Sequence, residues 1–361
     1  MSKKLAEIFS GNLFLRLPIQ EKINFSQHLA IVIKAGLPLL EGLRVIRRQT
    51  RSKTLAKIID QMTVDLNNGK FLADSLEQYR GVFGEFYISI VRIGESSGTL
   101  GTNLVYLAEE IEKSKEIKGK VRSALIYPIV ILVATVGITA LLTFFVLPKV
   151  LPIFTSLRIE LPLTTKVVIA SFNLILNYGW YLLAGLVIFT VGLRLLLFVQ
   201  PVRFFYHRML FYVPVISRLT TDVNMANFTR VFGILLKSGI KIVEAITITS
   251  KTFTNLVYRK ALVDAADEIR RGEQFSKGLN KQPQFFPPLL AGMIEIGENT
   301  GNLEENLEYL AQYYTKSVDS SIRNLTSVLE PALILVMGVV VGFISLSIIT
   351  PIYSLTQNLG Q

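Results

Sequence analysis

Two copies of one helical bundle, each followed by a membrane-spanning helix and separated by a third span, are expected of this chain: an all-α membrane protein. Three features point to it. Hydrophobic residues make up 50% of the 361 positions and the mean hydropathy is +0.45, high for a chain that lives in water. Long charge-free runs hold much of that apolar surplus. The chain also repeats itself: IGESSGTLGTNLVYLA, from Ile93 to Ala108, agrees at 10 of 16 positions with Ile296 to Ala311, an offset of 203.

The offset holds without a gap from Phe25 to about Val150. Phe25 meets Phe228, Lys34 and Gly36 meet Lys237 and Gly239, Glu41 meets Glu244, Gly69 meets Gly272, and Leu76 meets Leu279. The register continues through Pro128 and Pro331 to Pro148 and Pro351, so the duplicated unit is a bundle plus the apolar helix after it. Within each copy the period is helical. Phe25, His28, Leu29, Val32 and Ile33, with Phe228, Val231, Phe232, Leu235 and Leu236 in the second copy, form one apolar stripe, which places His28 in a core. Gly36 and Gly239 stop that helix because glycine enters the left-handed region without steric cost. Pro38 is expected in the first turn of the next helix, where its missing N–H is not needed. Further helices are expected at about 52–67, 71–79, 84–95 and 99–119, the last running on toward the membrane. Each copy is thus a bundle of about six helices.

The repeated motif reads as a corner between two helices. Ile93, Gly94 and Glu95 close one helix; Thr99 and Asn302 have N-cap chemistry, and Glu305 follows Asn302 at capping-box spacing. Leu100, Leu104, Leu107 and Ile111 then supply an apolar stripe. Glu95 and Glu298 are unusual, since a carboxylate at a helix C-terminus opposes the dipole. They are expected to be held by N–H groups of the following helix, or by a basic partner or a second subunit.

Three spans follow from length and charge. Leu125 to Leu147 is charge-free for 23 residues, roughly 35 Å as a helix at about 1.5 Å per residue. Ala332 to Thr350 is a second charge-free run, of 19. Trp180 to Val199 is a third, with Trp180 as an interfacial anchor and Arg194 near the opposite end, reaching for headgroups. Residues 1–124 hold 19 Lys and Arg and residues 200–324 hold 15, whereas Pro148 to Lys166 holds three and the 38 residues after Arg323 hold none. Basic segments stay cytoplasmic. The expected order is an N-terminal segment at 1–20, a first cytoplasmic domain at 21–122, and a span at 123–148. An extracytoplasmic loop at 149–167 and a span at 168–199 lead to a second cytoplasmic domain at 200–325. A span at 326–351 and an extracytoplasmic tail at 352–361 complete the chain.

Composition removes several function classes. There is no cysteine, hence no disulfide frame, thiolate zinc site or thiol nucleophile. The excess of 38 basic over 27 acidic residues lies where membrane topology places it, so no nucleic-acid role is expected. Gly69-Lys70 lacks the upstream glycine and the Ser or Thr of a phosphate loop, and His28 and His207 have no neighbours at metal-ligand spacing. No catalytic residue, cofactor or metal is assigned, and an enzyme is not expected.

Several motifs carry a resemblance. The paired starts at Phe25 and Phe228, NNGKFLADSL with RRGEQFSKGL, the twin IGE-x-x-G-x-L corners, SALIYP before the first span, LPKVLPIF and ELPLTT after it, and FYVPVIS before the second copy all resemble the type II secretion system F family. These are inner-membrane platform proteins of type IV pilus and type II secretion machines, and the likeness covers about residues 20–355. One departure is Glu330 ahead of Pro331, where the first copy has Tyr127. The resemblance implies a non-enzymatic scaffold in the inner membrane. Its implied partners are a cytoplasmic assembly or retraction ATPase, pilin or pseudopilin, and other inner-membrane assembly proteins.

Two surfaces stand out as candidate interfaces. Arg44, Arg47, Arg48 and Arg51 form a basic stripe whose second-copy counterparts are Thr247, Ser250, Lys251 and Thr254, suited to an acidic partner or anionic lipid. In the spans, Gly338 and Gly342 make G-x-x-x-G, and Thr135, Thr139 and Thr143 share a face; both suit helix packing and a homo-oligomer. The alternative class is a small transporter or channel with parallel internal repeats. It needs polar groups near mid-membrane, and the two charge-free spans have no charged ones.

Overall fold

The computed structural model describes residues 16–146, 148–149, 163–196, 200–209 and 214–358. Those residues form helices joined by short turns, with no strand among them. Repeat 1 comprises α1 (Ile19–Lys34), α2 (Leu39–Gln49), α3 (Lys53–Asn67), α4 (Leu72–Glu77), α5 (Arg80–Phe83), α6 (Glu85–Ser97) and α7 (Leu100–Ala124). The apolar α8 (Ile126–Leu141) follows and ends in a π turn at Leu142–Val146. Then come α9 (Leu163–Leu196) and α10 (Gln200–Met209). Repeat 2 comprises α11 (Pro214–Lys237), α12 (Ile242–Thr252), α13 (Leu256–Arg270), α14 (Phe275–Asn280), α15 (Pro288–Thr300) and α16 (Leu303–Asn358).

From the end of α1 to the start of α7, each repeat-2 helix boundary lies 203 positions after its repeat-1 partner, except around α5. There residues 283–286 form turns instead of a helix, under Pro283 and Pro287. The stops are also shared. Gly36 and Gly239 both have φ of 84°, and the backbone N–H groups of Leu37 and Ile240 reach back five residues to the carbonyls of Val32 and Leu235. Pro38 stands at the N-cap of α2, one position ahead of the expected first turn. Ser52 Oγ accepts the Leu55 N–H at 3.3 Å and Asn255 Oδ1 accepts the Val257 N–H at 2.9 Å, capping α3 and α13.

One compact unit contains both repeats: the described residues through Gly119 together with His207–Ser321. Phe25, Leu29, Leu43, Ile58 and Leu104 are buried in repeat 1, and Phe228, Phe232, Ile246, Leu262 and Leu307 in repeat 2. Each such side chain stabilises the fold by about 1.5–3 kcal/mol relative to exposure. In repeat 2 the rings of Phe228, Phe232 and Phe275 pack with centroids 5.4–6.2 Å apart. His28 is a correction: it is exposed, while Val231 at the same position of repeat 2 is buried. The buried side of α1 carries Phe25, Ser26, Leu29 and Ala30, and His28 projects away from it.

The second unit comprises Lys120–Tyr206 and the residues from Ile322 onward. Among the described residues, two stretches are long and apolar enough to cross a membrane, Leu100–Val146 and Leu303–Ser347, each beginning in a bundle helix. The expected third span falls in α9, which holds a shorter apolar stretch at Val187–Leu196. Of the expected loop at 149–167, positions 150–162 lie outside the described residues, as do positions 1–15, and 163–167 already belong to α9. The two repeats differ in their exits. Repeat 1 breaks at Leu125 before α8, whereas α16 runs unbroken for 56 residues through Pro331 and Pro351.

Candidate functional site at the repeated corner and the seam between repeats

The repeated motif builds a corner in which the identical residues have identical tasks. A Cβ added to Gly94 would stand 2.8 Å from the Cα of Leu100, and one added to Gly297 would stand 2.8 Å from that of Leu303. Only glycine lets the next helix approach so closely. Gly98 and Gly301 then take φ of 74° and 77° to reverse the chain. Asn103 donates its amide to the Ile90 carbonyl at 3.2 Å, and Asn306 to that of Met293 at 2.9 Å, tying the two arms together.

Glu95 and Glu298 work within this frame. Glu95 accepts the backbone N–H groups of Leu72 and Ala73 at 2.6 and 2.8 Å; Glu298 accepts those of Phe275 and Ser276 at 2.7 and 3.0 Å. The acceptor sits at the N-terminus of α4 or α14, so the N–H groups come from an earlier helix and not from the following one. A carboxylate there meets both unpaired donors and the positive end of the dipole. Burial raises the Glu95 carboxyl above its ordinary value even though the Ala73 and Leu72 N–H groups lower it. Thr99, expected as a cap, pairs its hydroxyl with Ser97 at 2.7 Å.

A second corner network differs in detail between the repeats. Buried Asp65 accepts from Lys70 at 2.9 Å, Ser75 at 2.8 Å and Gln78 at 2.8 Å. Burial alone would raise its carboxyl, but these bonds together hold it below the ordinary value. The same positions in repeat 2 are Glu268, Glu273, Gly278 and Lys281, and there Lys281 bridges Glu268 at 2.9 Å and Glu273 at 3.1 Å. The cation has changed position. The longer Glu268 fits because Gly278 has no side chain; a Cβ there would lie 2.8 Å from Glu268 Oε2.

The repeats meet along a seam made by α6 and α7 of repeat 1 against α11 and α12 of repeat 2. At its centre Glu110 Oε2 and Arg230 Nε are 2.7 Å apart, with side chains 5% and 7% exposed. Burial raises the Glu110 carboxyl, and the Arg230 guanidinium partly offsets this. Around the pair, Lys237 lies 5.3 Å over the Tyr106 ring, Ser238 donates to Asn103 at 3.5 Å, and Lys251 reaches Glu85 at 3.4 Å.

The doubled architecture has a counterpart among known proteins. A family profile described as "Type II secretion system (T2SS), protein F" matches residues 25–148 and again 228–351. This chain belongs to the type II secretion system protein F family. It is 34% identical over 336 residues to the type IV pilus assembly protein PilC of Thermus thermophilus, covering 93% of this chain and 82% of that protein. It is 31% identical over 335 residues to the type II secretion system protein F of Pseudomonas aeruginosa, with the same coverages. The type II secretion system protein F of Vibrio cholerae is 31% identical over 336 residues, 93% of this chain and 82% of its own.

The two protein F matches start at Phe25 and Phe228 and take in both bundles and both exits. Within the first match, the four arginines do not act alike. Arg44 pairs with Glu41 at 2.8 Å and Arg47 with Asp60 at 2.7 Å, while Arg48 and Arg51 are exposed. A shallow depression is lined by Arg47, Lys53, Lys57 and Asp60, with neither Arg48 nor Arg51 in its lining. In the apolar helix α8, Thr135 is buried and its hydroxyl donates to the Ile131 carbonyl at 2.8 Å. Thr139 Oγ1 is buried with no hydrogen-bond partner among the described residues. Beyond the adjoining residues and backbone of their own helix, no described atom lies within 4 Å of a Cβ built at Gly338 or Gly342. The seam residues were missed from sequence, although a signal existed. Glu110 aligns with Tyr313 and Arg230 with Gln27, so each repeat carries one charge that its copy lacks, and the signs are opposite.

Proposed function

We propose that this chain is the integral inner-membrane platform of a type IV pilus or type II secretion assembly machine. It couples a cytoplasmic motor ATPase to insertion of pilin or pseudopilin subunits into a growing fibre. The observation that carries this reading is the doubled protein F module, each copy a bundle that continues into an apolar helix. Names of the relatives, pilus assembly protein and secretion system protein, support the same machine class. The chain crosses the membrane three times with α9 as the returning span, and both bundles and the N-terminus face the cytoplasm, because the basic residues lie there. With no phosphate loop in the sequence, the work comes from a separate ATPase.

Arg48 and Arg51 are the docking residues for an acidic surface of that ATPase. Their side chains are exposed, and repeat 2 carries Lys251 and Thr254 instead. The test is a deletion strain complemented with the wild-type chain or with Arg48→Glu plus Arg51→Glu. Wild type is expected to restore fibre assembly or secretion. The reversed variant is expected to reach the membrane at normal levels yet fail to recruit the ATPase; unchanged recruitment removes this assignment.

A further inference from the structure

Helix α10 belongs to neither copy of the duplicated module. The first protein F match ends at residue 148 and the second begins at 228, and α10 starts between them at Gln200, close behind the end of α9 at Leu196. At about 100° per residue, Val202, Phe205, Tyr206 and Met209 fall within an arc of roughly 100° on its surface. All four are exposed, Phe205 at 65% and Met209 at 56%, so the stripe is apolar and uncovered. Arg203 and Arg208 stand about 60° beyond its two edges, one on each side. Arg208 is exposed and Arg203 half-buried, while Phe204, on the side away from the stripe, is half-buried.

The charge around this helix has one sign. From Leu161 to Thr221 the sequence holds no acidic residue, and Arg194, Arg203, Arg208 and Arg218 all lie in that stretch. The basic approach to the first span is different, with Glu112 and Glu116 set among Lys113, Lys115, Lys118 and Lys120. We propose that α10 lies flat in the cytoplasmic leaflet, its apolar stripe among the acyl chains and Arg203 and Arg208 on the phosphates of anionic lipid. A guanidinium fork suits a phosphate, and Tyr206, at the edge nearest Arg203, has a ring for the chains and a hydroxyl for the headgroups. The position in the chain selects lipid as the occupant: a helix that starts just behind an apolar span meets headgroups at that level before it meets any protein. The inference rests on α9 as the returning span, which puts Gln200 at the cytoplasmic face, and it adds a lipid requirement that the platform reading does not contain.

The chain has no cysteine, so a single fluorophore can be placed without background. Full-length protein labelled at Phe205→Cys, or at Phe204→Cys, is reconstituted into vesicles of phosphatidylcholine and phosphatidylglycerol. Acyl-chain spin labels carried by one lipid or the other serve as quenchers. The Phe205 label is expected to be quenched and the Phe204 label far less, the difference that a helix lying in the interface produces. Spin-labelled phosphatidylglycerol is expected to quench the Phe205 label about twofold more than equally labelled phosphatidylcholine, and Arg203→Gln with Arg208→Gln is expected to abolish that preference. Equal quenching at the two sites, equal quenching by the two lipids, or a preference that survives in the double variant overturns the proposal. The underlying topology fails by a separate signature. Labelling of Lys57→Cys and Asp264→Cys from opposite sides removes the three-span reading, whereas an unquenched Phe205 label in vesicles where that topology holds removes the interfacial helix alone.

Discussion

Gly94 and Gly297 stand where a single methyl would collide with the backbone of the next helix. Gly94→Ala is therefore expected to destabilise the bundle by about 1–3 kcal/mol, the usual range for overpacking. Gly98→Ala has open space for its methyl but a φ of 74°, and is expected to cost roughly 1–2 kcal/mol through backbone strain alone. Thermal unfolding of the two purified variants checks the order. Asp65 gives a pH prediction. Its folded carboxyl lies below the ordinary value, so its stabilisation is present above that value and is lost as pH falls through the folded one. Asp65→Asn is expected to lower the unfolding temperature at neutral pH and to flatten its decline in acid. A variant with the wild-type acid profile would show that other carboxylates govern that limb.

At the scale of helices, the seam depends on the Glu110–Arg230 pair. Glu110→Gln leaves a buried guanidinium without its counter-charge, a loss of about 3–5 kcal/mol by analogy with other buried pairs. Glu110→Met with Arg230→Met is expected to recover most of that loss, and unfolding of the single and double variants measures the coupling. The bundle helices were legible in the sequence because glycine stops, leucine spacing and the 203-residue offset agree with one another. What escaped was anything decided between repeats. His28 shares its spacing with buried Val231, yet local periodicity cannot say that the second of the two helices also meets the other repeat, through Arg230 and Glu110. The target of Glu95 escaped for the same reason: helix α4 lies 22 and 23 positions earlier in the chain, and spacing within one helix carries no trace of it. The glycines and Asn103 were visible as a pattern, but their close approach emerges only from packing.

For the molecule as a whole, the proposed topology puts both bundles on one side of the bilayer. Single cysteines at Lys57 and Asp264, both exposed, are expected to react with an impermeant thiol reagent only from the cytoplasmic side, whereas one at Arg158 reacts only from outside. Labelling of Lys57→Cys and Asp264→Cys from opposite sides would refute that topology. The two halves are nevertheless no longer interchangeable. Asp65 works with Lys70 and Ser75, Glu268 with Lys281 and Gly278, and each set is complete only in its own half. A recombination event that carried Glu268 into the first half without Gly278 would drive the longer acid into Ser75; one that carried Lys281 alone would add a second cation around one aspartate. A gene conversion over a short tract that splits either set is therefore expected to destabilise the hybrid, so the duplication resists being homogenised.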